Sequence, residues 1–308
     1  MRSVHITGVT SMRVGFSLPV FGSAAAEPGA VARYARAAEQ AGAASLWVGD
    51  RLLSPVAPTV SYPGYETMPD EFAVAQDPFV VLAVAAAVTE TVTLGSSTIN
   101  APQYQPTNLA RQLTSIDVAS NGRLLAGLGI GWSPEEYGAV GVPMAERGKR
   151  LDDTLDLLDA WWTQDKVSHE GIGYTVPESH VGLKPVRKPP VYLAAFGERA
   201  QRRVAERADG WLPVWSVPEQ FPADVVTGAV AKLRAAAENA GRDPEALGVA
   251  LRVNVDPGTT VDAIAESVAK VSSVLEPDHL FVDLTYLTSS VNEHIDLTGT
   301  LLELIAKG

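Results

Sequence analysis

Residues able to bind a ligand or move a proton recur in this chain at one kind of place, just after a short apolar run. Asp50 and Arg51 follow Ser45-Leu-Trp-Val-Gly49. Ser97, Thr98 and Asn100 close the run that begins at Val92, and Trp132 follows the run 123–129. Phe196-Gly-Glu-Arg199 follow the run 191–195, and Trp215 follows 210–213. Asp50-Arg51 reads equally as a ligand contact and as a structural ion pair or loop cap. Asn100 is a polar group ending an apolar strand, which favours a ligand contact. Trp132 taken alone is packing before it is a stacking platform. The stretch Ala195-Phe-Gly-Glu198 is sharper. A glycine opening a helix leaves backbone N–H donors free for an anion, and the helix dipole favours negative charge there. The competing reading is an amphipathic helix whose Arg199, Arg202 and Arg203 form a solvated basic face.

Several other chemistries have no residues to run on. The chain has no cysteine, which excludes disulfides, thiolate metal sites and a thiol nucleophile. His5, His169, His180, His279 and His294 show no metal-ligand spacing, and no metal site is expected. No G-x-S-x-G elbow, H-E-x-x-H pair or phosphate-binding P-loop is present. With no metal, thiol or obvious nucleophile, a bound organic cofactor is the economical source of reactivity.

The elements that must position these residues alternate strand with helix. Apolar runs at 13–18, 45–49, 92–98, 123–129, 191–195, 210–213, 247–253 and 280–284 read as strands. The helices between them are marked by local signals. Asp77-Pro78 supplies an N-cap and a first-turn proline, Gly42 closes the helix opened at Pro28, and Asn121-Gly122 turns the chain into the fourth strand. Eight near-continuous apolar strands, each followed by a helix, predict a parallel sheet closed into a (β/α)8 TIM barrel. No G-x-G-x-x-G follows the first strand, which argues against an open dinucleotide-binding sheet. In such a barrel the residues named above sit at the C-terminal ends of strands, where function is built.

Residues 12–308 read as one barrel domain, with 164–190, rich in Gly, Pro and His, as an insertion crossing the C-terminal mouth. Residues 1–11 read as an N-terminal extension, expected to be disordered. With 308 residues and a net charge of −12, the surface repels nucleic acid and anionic membranes. No apolar run approaches the roughly 20 residues that span a bilayer. A cytoplasmic enzyme acting on a small molecule is the expectation.

Several segments, in order, resemble the luciferase-like monooxygenase superfamily: Arg13-Val-Gly-Phe-Ser-Leu-Pro19, Ala44-Ser-Leu-Trp-Val-Gly-Asp50, Asp77-Pro-Phe79, Leu94-Gly-Ser-Ser-Thr98, Asn121-Gly-Arg-Leu-Leu-Ala-Gly-Leu-Gly129, Arg147-Gly-Lys-Arg-Leu151 and Ala208-Asp-Gly-Trp211. Gly131-Trp-Ser-Pro-Glu-Glu136 is most similar to the branch that uses the deazaflavin coenzyme F420. The resemblance implies that Asp50 lies beside the cofactor ring and that Ser97-Thr98 forms a non-proline cis bond behind it. It further implies that Ala195, Phe196, Gly197 and Glu198 hold the cofactor phosphate. By the same resemblance, hydride transfer between deazaflavin C5 and a small organic substrate is expected. Trp47, Trp132 and Trp215 would line the pocket, Asn100 or Tyr104 would orient the substrate, and Asp50 and Tyr104 are candidates to donate a proton. The alternatives are an FMNH2-dependent monooxygenase using O2 and a cofactor-binding protein without catalysis. Relatives of this type are commonly homodimers. The chain departs from the superfamily's sugar-phosphate dehydrogenases, which carry His where Arg51 stands and an acid where Trp132 stands. Arg51 is left to attract an anionic substrate or the ring carbonyls. Tyr104-Gln105 also replace an Arg-His pair common in the family.

Overall fold

The computed structural model describes residues 13–219 and 223–307; the expected extension 1–11 lies outside them. Strands β1 (Val14–Ser17), β2 (Ser45–Val48), β3 (Thr93–Ser96), β4 (Ile99–Asn100) and β5 (Leu124–Gly129) come first. A hairpin of β6 (Lys166–Gly171) and β7 (Tyr174–His180) precedes β8 (Val191–Leu193), β9 (Gly210–Trp211), β10 (Val214–Val217), β11 (Gly248–Val255) and β12 (His279–Asp283). Apart from the hairpin, every strand pairing is parallel, and β1 closes the sheet against β12. β3 with β4 occupies one position of the ring and β9 with β10 another, so the strands fill eight barrel positions.

Helices α1 (Gly22–Ala26), α2 (Ala30–Ala41), α3 (Pro78–Val88), α4 (Pro106–Ala119), α5 (Pro134–Ala139), α6 (Arg147–Thr163), α7 (Glu198–Arg207), α8 (Ala223–Asn239), α9 (Val261–Leu275) and α10 (Val291–Ile305) lie between and after the strands. Their ends form where the side chains dictate. Asp77 accepts hydrogen bonds from the Phe79 and Val80 amides with Pro78 in the first turn. Gly42, at φ +100°, closes α2 in a conformation that favours glycine. No helix among the described residues is long and apolar enough to cross a membrane.

The floor of the barrel is packed solid. Trp47, Leu125, Tyr192, Leu212, Ala250 and Phe281 form one interior cluster, with Trp47 stacked on Phe281 at 4.5 Å. A Cβ on Gly95 would come within 2.4 Å of the Trp47 ring, so glycine at 95 is what lets the indole lie flat inside.

Segment 164–190, expected over the mouth, runs instead along the outside of α6. Val167, Val176 and Val181 pack on Leu157. His169 bonds Asp153 at 2.6 Å, the Ile172 amide donates to the same carboxylate, and Lys184 caps the Trp161 carbonyl. No residue of the segment lines the mouth cavity. Polar composition marks an insertion; Val167, Val176 and Val181, scattered among those polar residues, fix the side on which it packs. The mouth is covered by residues 51–76, tied to the first βα loop through Gln76 N–H to the Val20 carbonyl and Gly22 N–H to the Val74 carbonyl.

Candidate functional site

A cavity of about 430 Å3 opens above the packed floor, at the C-terminal ends of the strands. Its size is that of an ordinary small-molecule site. Asp50, Arg51, Ser97, Thr98, Asn100, Trp132 and Phe196 all line it. The expected strand ends therefore converge on one space.

Asp50 is held from behind. Its Oδ2 accepts from the Asn100 amide at 2.8 Å and its Oδ1 from the Tyr104 hydroxyl at 2.9 Å, while Asn100 Nδ2 donates to the Asp50 carbonyl. Burial raises the carboxyl to about 6, against the opposing pull of those two donors. Tyr104 stands edge-on to Phe79 at 5.2 Å, and burial, then the Asp50 charge, pushes its phenol far above the ordinary value. Tyr104 is thus behind Asp50, outside the cavity lining. The Ser97-Thr98 peptide is cis, as the resemblance implied. The Ser97 amide donates to the Val48 carbonyl, and its own carbonyl accepts from Arg252 Nη1 at 3.2 Å. A Cβ on Gly129 would meet Thr98 Oγ1 at 2.4 Å, so Gly129 makes room for this turn.

Arg51 pairs with Glu136, not with its neighbour Asp50. Its Nε lies 3.2 Å from Glu136 Oε1, and its guanidinium lies 4.6 Å from the Trp132 ring centroid and 5.1 Å from that of Phe72. Desolvation lowers the Arg51 pKa, opposed first by the Glu136 charge. Glu136 also accepts from the Leu52 amide at 2.8 Å, and Glu135 accepts from the Thr59 amide and hydroxyl. Those donors hold Glu135 down at about 2. Ser133 caps α5 and so aims both glutamates at the mouth segment. Tyr62, Tyr65 and Phe72 of that segment form an aromatic roof that reaches Trp132 and Tyr286.

The opposite wall was not foreseen. Arg252 and Asn254 on β11, and Asp256 just past its end, face inward at every second position, while Val253 and Val255 turn outward and are fully buried. Arg252 pairs with Asp283, which also accepts from the Thr285 amide and hydroxyl. The polar residues at every second position of an apolar strand were the available signal.

Two expected pocket residues lie elsewhere. Trp47 is part of the floor, with Nε1 donating to Ser45 Oγ, and lines a separate small void of about 10 Å3 instead of the cavity. Trp215 faces outward and donates to Ser267 Oγ of α9. Val214 and Ser216 face inward in its place. The pairing of Val214–Val217 with β11 sets that phase, one residue off the expected one.

At the α7 end, Phe196 is 73% exposed at the cavity rim, and Ala195 is buried with its carbonyl bound by Trp211. Gly197 has extended backbone, and a Cβ built there meets nothing within 4 Å. Glu198 is exposed in the first turn of α7. Arg203 and Arg207 are tied to Asp152 and Asp156 of α6, so the basic face is partly structural.

The profile of the luciferase-like monooxygenase family matches residues 12–291. An uncharacterized protein of Mycobacterium tuberculosis is 32% identical over 183 residues, covering 58% of this chain and 65% of its own length. The F420-dependent glucose-6-phosphate dehydrogenase of Intrasporangium calvum is 31% identical over 155 residues, 48% of this chain and 46% of that one. The aligned stretches thus span less than two thirds of these relatives. Among solved structures, monooxygenase RslO1 from Streptomyces bottropensis superposes with a TM-score of 0.76 at 19% identity, covering 96% of this chain and 98% of that chain. An F420-dependent secondary alcohol dehydrogenase in complex with an F420-acetone adduct gives 0.75 at 15% identity, over 96% and 99%. At these identities the two structures speak for the fold.

Proposed function

Because the chain belongs to the luciferase-like monooxygenase family, we propose that it is an oxidoreductase with a deazaflavin or flavin in the barrel mouth, that the cofactor is coenzyme F420, and that the substrate is a small organic molecule. The observation that carries the reading is the convergence of Asp50, Ser97, Thr98, Trp132 and Phe196 on one cavity. The residues present fit such a group. The cavity has room for a planar ring, Arg252 Nε is buried without a hydrogen-bond partner among the described residues, and α7 starts at Gly197 with no side-chain cap on its first amides. When bound, a deazaflavin supplies a carbon at position 5 that accepts or gives up a hydride. The F420-dependent relative at 31% identity favours this cofactor over FMN.

In this reading the chain's own side chains have separable tasks. Ser97 and Thr98 would support the ring from behind, Trp132 and Phe196 would cover its edges, and Ala195 to Glu198 would hold the phosphate. Asn100 would orient the substrate and fix the Asp50 carboxylate, while the aromatic roof keeps water out. α3 belongs to the same reading for a different reason. It carries no charged residue, and Val80, Ala83 and Ala87 are exposed along its outer side, so a homodimer is the expected state.

Titration of the purified protein with F420 and with FMN, followed by ring fluorescence, tests the cofactor. Tight F420 binding beside negligible FMN binding is expected; the reverse would make the protein a flavin enzyme of the monooxygenase type. Binding of F420 without turnover across a broad substrate panel would mark a cofactor carrier.

Asp50 gives the reading a pH signature. With its carboxyl near 6, it is charged and able to take a proton above that pH, and neutral below. In the direction that oxidises an alcohol, kcat/KM should rise through about pH 6. In the reducing direction it should fall. Asp50→Asn should remove the inflection while keeping the fold, because the amide oxygen can still accept from Asn100 and its nitrogen can donate to a rotated Tyr104 hydroxyl. An inflection unchanged in the variant would take the proton role away from Asp50.

A further inference from the structure

Two guanidinium groups line the cavity, and both are matched by carboxylates. Arg51 pairs with Glu136 at side-chain exposures of 4% and 1%, and Arg252 with Asp283 at 16% and 5%. No lysine lines the space. Asp256, also in the lining, has no cation and no hydrogen-bond donor on its carboxylate among the described residues. Only its backbone is engaged, by Val217 and Thr259. Two residues earlier on the same inner face, Asn254 carries a buried amide oxygen with no partner among the described residues. The wall opposite is the aromatic roof of Tyr62, Tyr65 and Phe72. Burial and then the Asp256 charge raise the Tyr65 phenol to about 12, so it stays protonated and adds no competing negative charge.

Resting on the reading of the mouth as an oxidoreductase site, the geometry points to a substrate subsite at Asn254 and Asp256 that takes a hydrogen-bond-donating group, neutral or cationic, such as an alcohol or amine on an apolar body. Two adjacent acceptors without donors call for a ligand that brings donors. A charged ammonium fits best, because Asp256 is the lining carboxylate left uncompensated after the two arginine pairs are counted, apart from Asp50 with its raised pKa. An anionic group meets the Asp256 carboxylate, while the two guanidiniums in the lining are already paired with Glu136 and Asp283. The subsite therefore selects against sugar phosphates and carboxylates. Arg51, whose type alone suggested attraction of anions, is already taken by Glu136. Asn254 and Asp256 are specificity-determining residues in this view, acting on the substrate and leaving the ring to the other wall.

The test is a charge series on one small body: benzylamine, benzyl alcohol, benzoate and phenyl phosphate. Binding is measured by calorimetry or ligand-observed NMR on protein saturated with F420, without any need for turnover. Benzylamine is expected to bind about tenfold or more tightly than either anion, with benzyl alcohol between. Asp256→Asn should remove about tenfold of the amine preference, and Asn254→Leu should weaken benzyl alcohol severalfold. Since the Asp256 side chain bonds nothing in the fold, its variant should melt like the wild type, which separates a lost contact from a lost structure. The subsite is overturned if benzoate or phenyl phosphate binds as well as benzylamine, if Asp256→Asn leaves the amine affinity within about twofold, or if benzylamine fails to bind at millimolar concentration. Should the protein take FMN instead of F420, or neither, the series is run on that form with benzylamine displacement as the readout. The charge order then judges the subsite separately from the cofactor.

Discussion

The Gly197→Glu variant is expected to bind F420 at least roughly a hundredfold more weakly than the wild-type protein, with an unchanged melting temperature. Two amide donors at a helix N-terminus, each contributing about 1.5–3 kcal/mol to a charged acceptor, together set a loss of this size when the anion is displaced. A carboxylate at 197 would occupy the space those amides face and repel the phosphate. The fold has no reason to object. Gly197 has extended backbone open to any residue, and a Cβ there meets nothing within 4 Å. Gly197→Ala is the control. It keeps the donors, adds one methyl group in open space, and should stay within about threefold of wild type. Ring fluorescence reads the affinity and a thermal melt reads the fold. Unchanged affinity in the glutamate variant would move the phosphate away from Ala195, Phe196, Gly197 and Glu198. The phosphate would then need another anchor, and Arg252, which lines the cavity with its Nε lacking a hydrogen-bond partner among the described residues, is the candidate.

The barrel was legible because its strands are buried on both faces and read as unbroken apolar runs, and because Asp77, Gly42 and Asn121-Gly122 mark where helices start and stop. Asp50, Ser97, Thr98, Asn100, Trp132 and Phe196 were legible for a topological reason: strand ends of a closed parallel barrel share one mouth. Trp215 shows the limit of that reasoning. It required knowing which residue of 210–217 pairs with β11, and a slip of one residue turns a pocket side chain into a helix contact. Arg252, Asn254 and Asp256 were hidden by a strand end set at 253, two residues short of Val255, so their shared phase had no strand to belong to. The 51–76 roof has neither helical nor strand periodicity. Its position depends on Glu135 and Glu136, 76 and 84 residues away from Thr59 and Leu52. Nothing local in either segment announces the other.

That distant tie is the second place where one substitution should have a large effect. Glu136→Ala would leave Arg51 buried at 6% exposure with its counter-charge gone and would free the Leu52 amide. Removing one partner of a buried pair costs about 3–5 kcal/mol, because the remaining charge stays desolvated. Urea denaturation should register a loss in that range. Hydrogen exchange should locate the damage in residues 51–61, which Glu135 and Glu136 hold down. Glu135→Ala removes a carboxylate that bonds Thr59 but has no arginine paired with it among the described residues, and should be far milder. The pair can be separated from its charge. In Arg51→Met with Glu136→Leu, no ion is left buried without a partner, and apolar replacements of buried pairs are often neutral or stabilising. If stability returns in the double variant while F420 affinity or turnover does not, the guanidinium has a task at the ligand beyond holding the roof. If both return, Arg51 is structural, and the electrostatic choice of substrate falls to Asp50 and Asp256. Single-variant stability close to wild type would mean that the Arg51–Glu136 contact is relaxed by water in solution, and the mouth segment would then need a different anchor.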